Sequence, residues 1–252
     1  MKVSIITVVY NGVEHVGDCI KSVLSQTHKD IEYIVIDGAS SDGTMQVVDS
    51  FKNRIACIIS EKDKGMYYAL NKGILMAKGD VVGFLHSDDL YADEHSLEKV
   101  VKIFGTEGVE SVYAGILYVE KNNTNRIIRY WRSERHTESL FRKGWMPPHT
   151  SFFVKKIVYE KHGLFNTSFK IAADYELMLR FLYKYRISSF FLDDAIVKMR
   201  YGGVSNRNIS NIIAKSREDR MICKSYNLGY MSLLMKNLQK LPQFILRPSH
   251  RA

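Results

Sequence analysis

The sequence predicts a single α/β domain built on a mostly parallel sheet with helices on both faces. Three observations carry that prediction. Across residues 1–90, short runs rich in β-branched residues alternate with stretches of helical periodicity. Each run ends in a cluster of Asn, Asp, Ser, Glu or Gly, the residue types that leave a strand for a loop. The length of 252 residues, with 46% hydrophobic and 25% charged, fits one core of this kind or one core with a small appendage.

Taken in order, Val3–Val9 is the first, central strand, and Asn11-Gly12 turns the chain. Val16, Cys19, Ile20, Val23 and Leu24 recur at helical spacing and predict a helix over about 13–26. Glu32–Asp37 is the second strand, and 38–44 is a loop of small and polar residues that opens a helix to about Phe51. Arg54–Ser60 is the third strand, 61–65 a loop, Met66–Ala77 a helix and Asp80–Leu85 the fourth strand. Beyond residue 100 the pattern is less regular. Strands are expected at 111–119, 127–131, 188–192 and 196–200, with another closing the Pro-fixed stretch 146–154. A short helix over 157–162 ends at Gly163, and a second helix opens with Asp174 at or near its N-cap. Gly202-Gly203 is expected to act as a hinge. The segment past Ser205 is helical and basic, which divides the chain into a domain over 1–205, with halves 1–100 and 101–205, and a tail over 206–252.

Composition narrows the function classes. No run of about 18 apolar residues offers a transmembrane helix. Met1–Tyr10 lacks a cleavage site and runs into a turn, so no leader is expected there. Three cysteines, Cys19, Cys57 and Cys223, without a Cys-x-x-Cys pair, argue against disulfides and structural zinc and for a reducing cytoplasm. The formal charge is +9, and from residue 206 onward nine Lys or Arg face only Glu218 and Asp219. Such a tail suits an acidic partner. Among its basic residues stand Ile212, Ile213, Met221, Ile222, Tyr230, Leu233, Leu234, Leu238, Leu241, Phe244, Ile245 and Leu246. This mixture fits either a helix lying on an anionic membrane or one packed back on the domain or on a second copy. No nucleic acid is expected as a partner, since few aromatics interleave the basic residues.

In a parallel sheet, ligands bind at the carboxyl ends of the strands. The polar groups lie there: Tyr10-Asn11, Asp37 to Thr44, Glu61 to Gly65, and Ser87 to Asp89. The adjacent carboxylates Asp88 and Asp89 follow a buried strand, and such a pair requires a cation or solvent. Mg2+ or Mn2+, with oxygen ligands, would resolve the conflict and leave sites for a diphosphate. The alternative is a solvated turn leading to a helix near Asp93. A nicotinamide cofactor is disfavoured, because the first strand ends in Tyr-Asn-Gly rather than a Gly-x-Gly-x-x-Gly turn.

Five blocks in this order and spacing resemble the inverting glycosyltransferases of family 2, with the GT-A (Rossmann-like) fold. They are Val3–Asn11, Ile36–Thr44, Glu61–Gly73, Gly79–Asp89 and Ala173–Arg180. The resemblance implies transfer of a sugar from a nucleoside-diphosphate donor, most of all a UDP-sugar. The acceptor would be a lipid-linked glycan of bacterial surface-polysaccharide assembly, reached from the cytoplasmic face of the membrane. It places Thr7, Tyr10, Asn11, Asp37, Ser40, Asp63, Lys64, Gly65, Asn71, Ser87 and Asp88 at the donor and Asp89 on Mn2+ or Mg2+. Asp174 would be the general base, taking the acceptor hydroxyl proton as that oxygen attacks the anomeric carbon. His149 and Tyr201 would belong to acceptor contacts and a closing loop. The chain departs from the family pattern at His86, where Asp or Asn is common, and at Ala173, where Glu usually precedes the base. These departures keep open a second reading, a nucleotide-sugar-binding protein at the membrane without turnover.

Overall fold

The computed structural model describes residues 1–202 and 209–229, together with Ser232, Leu233 and Met235. Its strands form one nine-stranded sheet. The first four, β1 (Val3–Val9), β2 (Ile31–Asp37), β3 (Cys57–Ser60) and β4 (Val81–Phe84), lie in the order β3-β2-β1-β4 and pair in parallel. The helices between them are α1 (Val16–Leu24), α2 (Thr44–Asp49) and α3 (Met66–Met76). Every residue of β1 is buried, as a central strand covered on both faces requires. Its side chains alternate: Ile6 and Val8 join a core with Leu70 and Ile74 of α3, while Ile5 and Val9 join another with Cys19, Ile20 and Val23 of α1.

Past β4 the chain forms β5 (Leu90–Tyr91), α4 (Ser96–Glu107), β6 (Ser111–Val119), β7 (Ile127–Trp131), α5 (Glu138–Arg142) and β8 (Phe152–Lys155). These are followed by α6 (Lys156–His162), α7 (Ala173–Met178), β9 (Ser189–Arg200) and α8 (Ile209–Ser225). β8 joins the sheet antiparallel to β4, and β6 and β9 extend it from there. Gly83 permits this junction, because a Cβ there would stand 2.3 Å from the Phe153 ring.

The strands expected at 188–192 and 196–200 form one strand, β9. Asp193 and Asp194, which break the apolar pattern, are absorbed by register shifts opposite Gly115. Their carboxylates pair with Arg132 and Lys99 at the surface. The helix expected from Asp174 begins one residue earlier and changes after Met178 to a π-helical stretch over Leu179–Lys184. Its N-cap is Ala172, which puts Asp174 inside the first turn.

The described part of the tail packs on the domain. Ile222, Cys223 and Leu228 are buried in the same core as α7, Tyr226 donates to Glu176 at 2.7 Å, and Ser232 donates to the Arg142 carbonyl. Tyr230, Leu234, Leu238, Leu241, Phe244, Ile245, Leu246 and the hinge residue Gly203 lie outside the described residues. Among the described residues, no helix is long and apolar enough to cross a membrane, and the three cysteines are free thiols.

Candidate active site

The parallel register sets the exits of β1, β2 and β4 along one edge, with Val9 beside Asp37 and Ile6 beside Phe84. The loops after β1 and β2 are stitched together. Asp37, fully buried, accepts from the Ser40 amide at 3.0 Å, the Ser40 hydroxyl at 2.5 Å and the Ser60 hydroxyl at 2.6 Å. Asn11, at φ 49°, donates its amide N–H to the Ser40 hydroxyl and accepts from the Ser41 amide. Asp42 accepts from the Val13 and Thr44 amides and the Thr44 hydroxyl, which holds its carboxyl below the usual range. Tyr10 stands 69% exposed with its ring over Gly38, where a Cβ would come within 3.3 Å of it. An exposed aromatic face over a glycine is suited to stacking on a flat ring.

The exit of β4 is built differently. Asp89 is 1% exposed, and neither carboxylate oxygen has a hydrogen-bond partner. Burial first, and then the charge of Asp88, push its carboxyl well above the usual range. Beside it, Arg200 at the end of β9 donates to the Asp88 carbonyl at 2.8 Å, the Lys121 carbonyl at 3.0 Å and the Asp18 carboxylate at 2.8 Å. That guanidinium ties three elements together around the acidic turn while leaving both Asp89 oxygens open. Ser87 faces Gly12, so the β4 exit touches the β1 exit. Tyr201, next to Arg200, is exposed.

A bridge of side chains leads from this turn to α7. His86 and His149 meet Nε2 to Nε2 at 3.0 Å, so one imidazole donates and the other accepts. His149 Nδ1 faces the Asp174 carboxylate at 3.5 Å, and Tyr67 donates to the other oxygen of Asp174 at 3.3 Å and to the Ile171 carbonyl at 2.9 Å. Burial and the neighbouring His149 lower the His86 imidazole to about 4, so it is neutral at pH 7. Burial and Asp174 raise the Tyr67 phenol well above its usual value, which keeps it a donor. Asp174 retains 21% side-chain exposure.

The structure therefore gathers Tyr10, Asn11, Asp37, Ser40, Ser87, Asp88 and Asp89 along the strand exits and connects them through His86 and His149 to Asp174. Thr7, Asn71 and Asp63 are instead engaged within the protein. Thr7 is fully buried, donates to the Leu85 carbonyl and accepts from Tyr33. The Asn71 amide is clipped to both backbone groups of Phe165. Asp63 pairs with Lys72 at 2.8 Å while its second oxygen is buried without a partner. Lys64 is exposed, and Gly65 sits at φ 138°, in a region that disfavours a side chain. Sequence reasoning assigned nothing to Tyr67 or Lys72, and named Arg200 only as the start of a segment that could close over a donor diphosphate. Tyr67 and Lys72 lie within the Glu61–Gly73 block, and Arg200 opens the Gly-rich segment after β9.

An α/β sheet whose strand exits carry an acidic turn, with a separate carboxylate held across from it, is the arrangement expected of a GT-A glycosyltransferase. The profile of glycosyl transferase family 2 matches residues 4–165, and the chain belongs to that family. A Rickettsia typhi protein called an uncharacterized glycosyltransferase, RT0329, is 31% identical over 82% of this chain, which spans 66% of that relative's length. The Escherichia coli UDP-Glc:alpha-D-GlcNAc-diphosphoundecaprenol beta-1,3-glucosyltransferase WfaP is 29% identical over 89% of this chain and 91% of its own. In fold, the chain is similar to S. aureus TarS, with a TM-score of 0.66 at 17% identity, over 97% of this chain and 71% of that one.

Proposed function

We propose that this chain transfers a hexosyl or N-acetylhexosaminyl group from a UDP-sugar to a hydroxyl of a lipid-linked glycan, with inversion at the anomeric carbon. The observation that carries the reading is the His86–His149–Asp174 bridge, which sets a partly exposed carboxylate against the acidic exit of β4. The name of WfaP, similar over nearly its whole length, supports the UDP donor and the diphospholipid acceptor. The exposed Tyr10 ring and the Asp37–Ser40 loop would receive the nucleoside, and Ser87 and Asp88 the ribose and diphosphate side.

The open oxygens of Asp89 suit a hard divalent cation, because an ionised carboxylate at that depth has only the nearby charge of Arg200 to offset its burial. Among the described residues no cluster of three His, Cys, Asp or Glu forms a cage. Asp89 would thus hold Mn2+ or Mg2+ in company with donor oxygens and water. Such an ion, when bound, supplies charge neutralisation to the departing diphosphate. Asp174, steadied by Tyr67 and His149, accepts the acceptor hydroxyl proton. The attack comes from the face opposite the leaving group and converts an α-linked donor into a β-linked product. A lipid-linked acceptor would place the protein at the cytoplasmic face of the membrane.

The test supplies UDP-glucose or UDP-GlcNAc and a GlcNAc-diphosphoryl polyprenol to the wild-type protein and to Asp174→Asn. The expected result is β-linked product from the wild type only, with UDP bound equally by both. Asp174→Asn turning over at the wild-type rate would overturn the assignment.

A further inference from the structure

The helix that begins the basic tail makes a contact with the site that the expected mechanism does not use. Glu218 of α8 is 9% exposed, and its carboxylate accepts three successive backbone N–H groups. The donors are Lys170 at 2.8 Å, Ile171 at 2.9 Å and Ala172 at 2.8 Å. The same segment is held from its other side by Tyr67, which donates to the Ile171 carbonyl and to Asp174 itself. Ala172 is the N-cap of α7, and it has no side chain with which to cap that helix. With Ala173 in place of a second carboxylate, Asp174 carries the proposed base role alone, so its placement depends on this segment.

We infer that Glu218 is a positioning residue for Asp174, and that α8 is thereby a working part of the acceptor half. Three charge-assisted hydrogen bonds from consecutive amides fix the backbone of 170–172 more firmly than a single side-chain cap. They hold it from an element more than forty residues further along the chain. Ile222 and Cys223 of α8 are buried in the core, and Tyr226, just past the helix, donates to Glu176 and not to the 170–172 backbone. Seating and positioning are therefore separable. The inference rests on Asp174 acting as the base.

The test uses the full chain as Glu218→Gln, which keeps the shape and one acceptor oxygen, with Tyr226→Phe as the control for seating. Glu218→Gln should lower the turnover of sugar transfer about 10- to 100-fold, the scale on which small misplacements of a catalytic group act. KM for UDP-glucose should stay within about twofold, the split expected of an interaction absent from donor binding. Tyr226→Phe should keep wild-type turnover. Hydrogen exchange read by mass spectrometry should show the 170–172 amides protected in the wild type and released in Glu218→Gln. Wild-type turnover in Glu218→Gln alongside an inactive Asp174→Asn would overturn this inference and leave the proposed function standing. An active Asp174→Asn would remove the reading beneath it. Rapid exchange at 170–172 in the unaltered protein would overturn the inference without any variant.

Discussion

Two buried carboxylates lie at the exits of the strands on either side of β1, and they stand in opposite states. At the exit of β2, Asp37 has its charge answered by an amide and two hydroxyls of the protein. At the exit of β4, Asp89 is as deeply buried and has none. A carboxylate satisfied from within organises a loop; one left open at full burial either keeps its proton or takes a cation. Under the proposed function, the loop after β2 would be shaped in advance for a nucleoside, while the turn after β4 would be finished by the ligand itself.

The contrast can be broken or sharpened by substitution. The largest effect is expected from Asp89→Asn, which should lower transfer about a thousandfold, several kcal/mol of barrier. The same change should stabilise the metal-free protein. Asp89 holds its proton above the usual carboxylate range when folded, so the wild type loses stability as pH rises through that folded value. Asparagine carries no such loss, and thermal melts in EDTA should show a gap between the two proteins that widens from acid to alkaline pH. A gap independent of pH would mean that Asp89 is satisfied after all.

Asp37→Ala should act in the other direction on stability. It strands the Ser40 and Ser60 donors and should cost about 1–3 kcal/mol in urea unfolding, with or without metal. Arg200→Lys comes next. An ammonium cannot span the Asp88 carbonyl, the Lys121 carbonyl and Asp18 together, and about 1–2 kcal/mol of stability should be lost with a rise in KM for the donor. Unchanged KM would detach Arg200 from the acidic turn. At neutral pH the smallest effect is that of His86→Asn, whose influence emerges only in acid. His86 titrates at about 4 when folded, so its neutral form adds stability above its unfolded value of 6.5, and that stability is lost as pH falls from 6.5 toward 4. The stability of His86→Asn relative to wild type should therefore improve across that window, as read by urea unfolding at several pH values.

The two halves were not equally legible in the sequence. β1 through β4 follow from runs such as Val3–Val9, because a central strand covered on both faces is rich in β-branched apolar residues without strict alternation. β5 has two residues and no periodicity to read, and the five-residue α5 is scarcely longer. Asp193-Asp194 reads as a gap between strands, since the sequence does not show that a bulge opposite Gly115 carries both charges to the surface. At the site, the Asp88-Asp89 turn and Asp174 stand out as carboxylates at element boundaries. The His86–His149 contact joins residues 63 apart through tertiary packing alone, and Glu218 reaches 170–172 only because the tail helix folds back. Neither leaves a periodic signal.

The most direct measurement is calorimetric titration of UDP into wild-type protein and Asp89→Asn, each with Mn2+ and with EDTA. The account predicts tight binding only for the wild type with Mn2+, and equally weak binding in the other three cells. Equal affinity in all four would contradict it, because the open carboxylate at the end of β4 would then have no cation to hold.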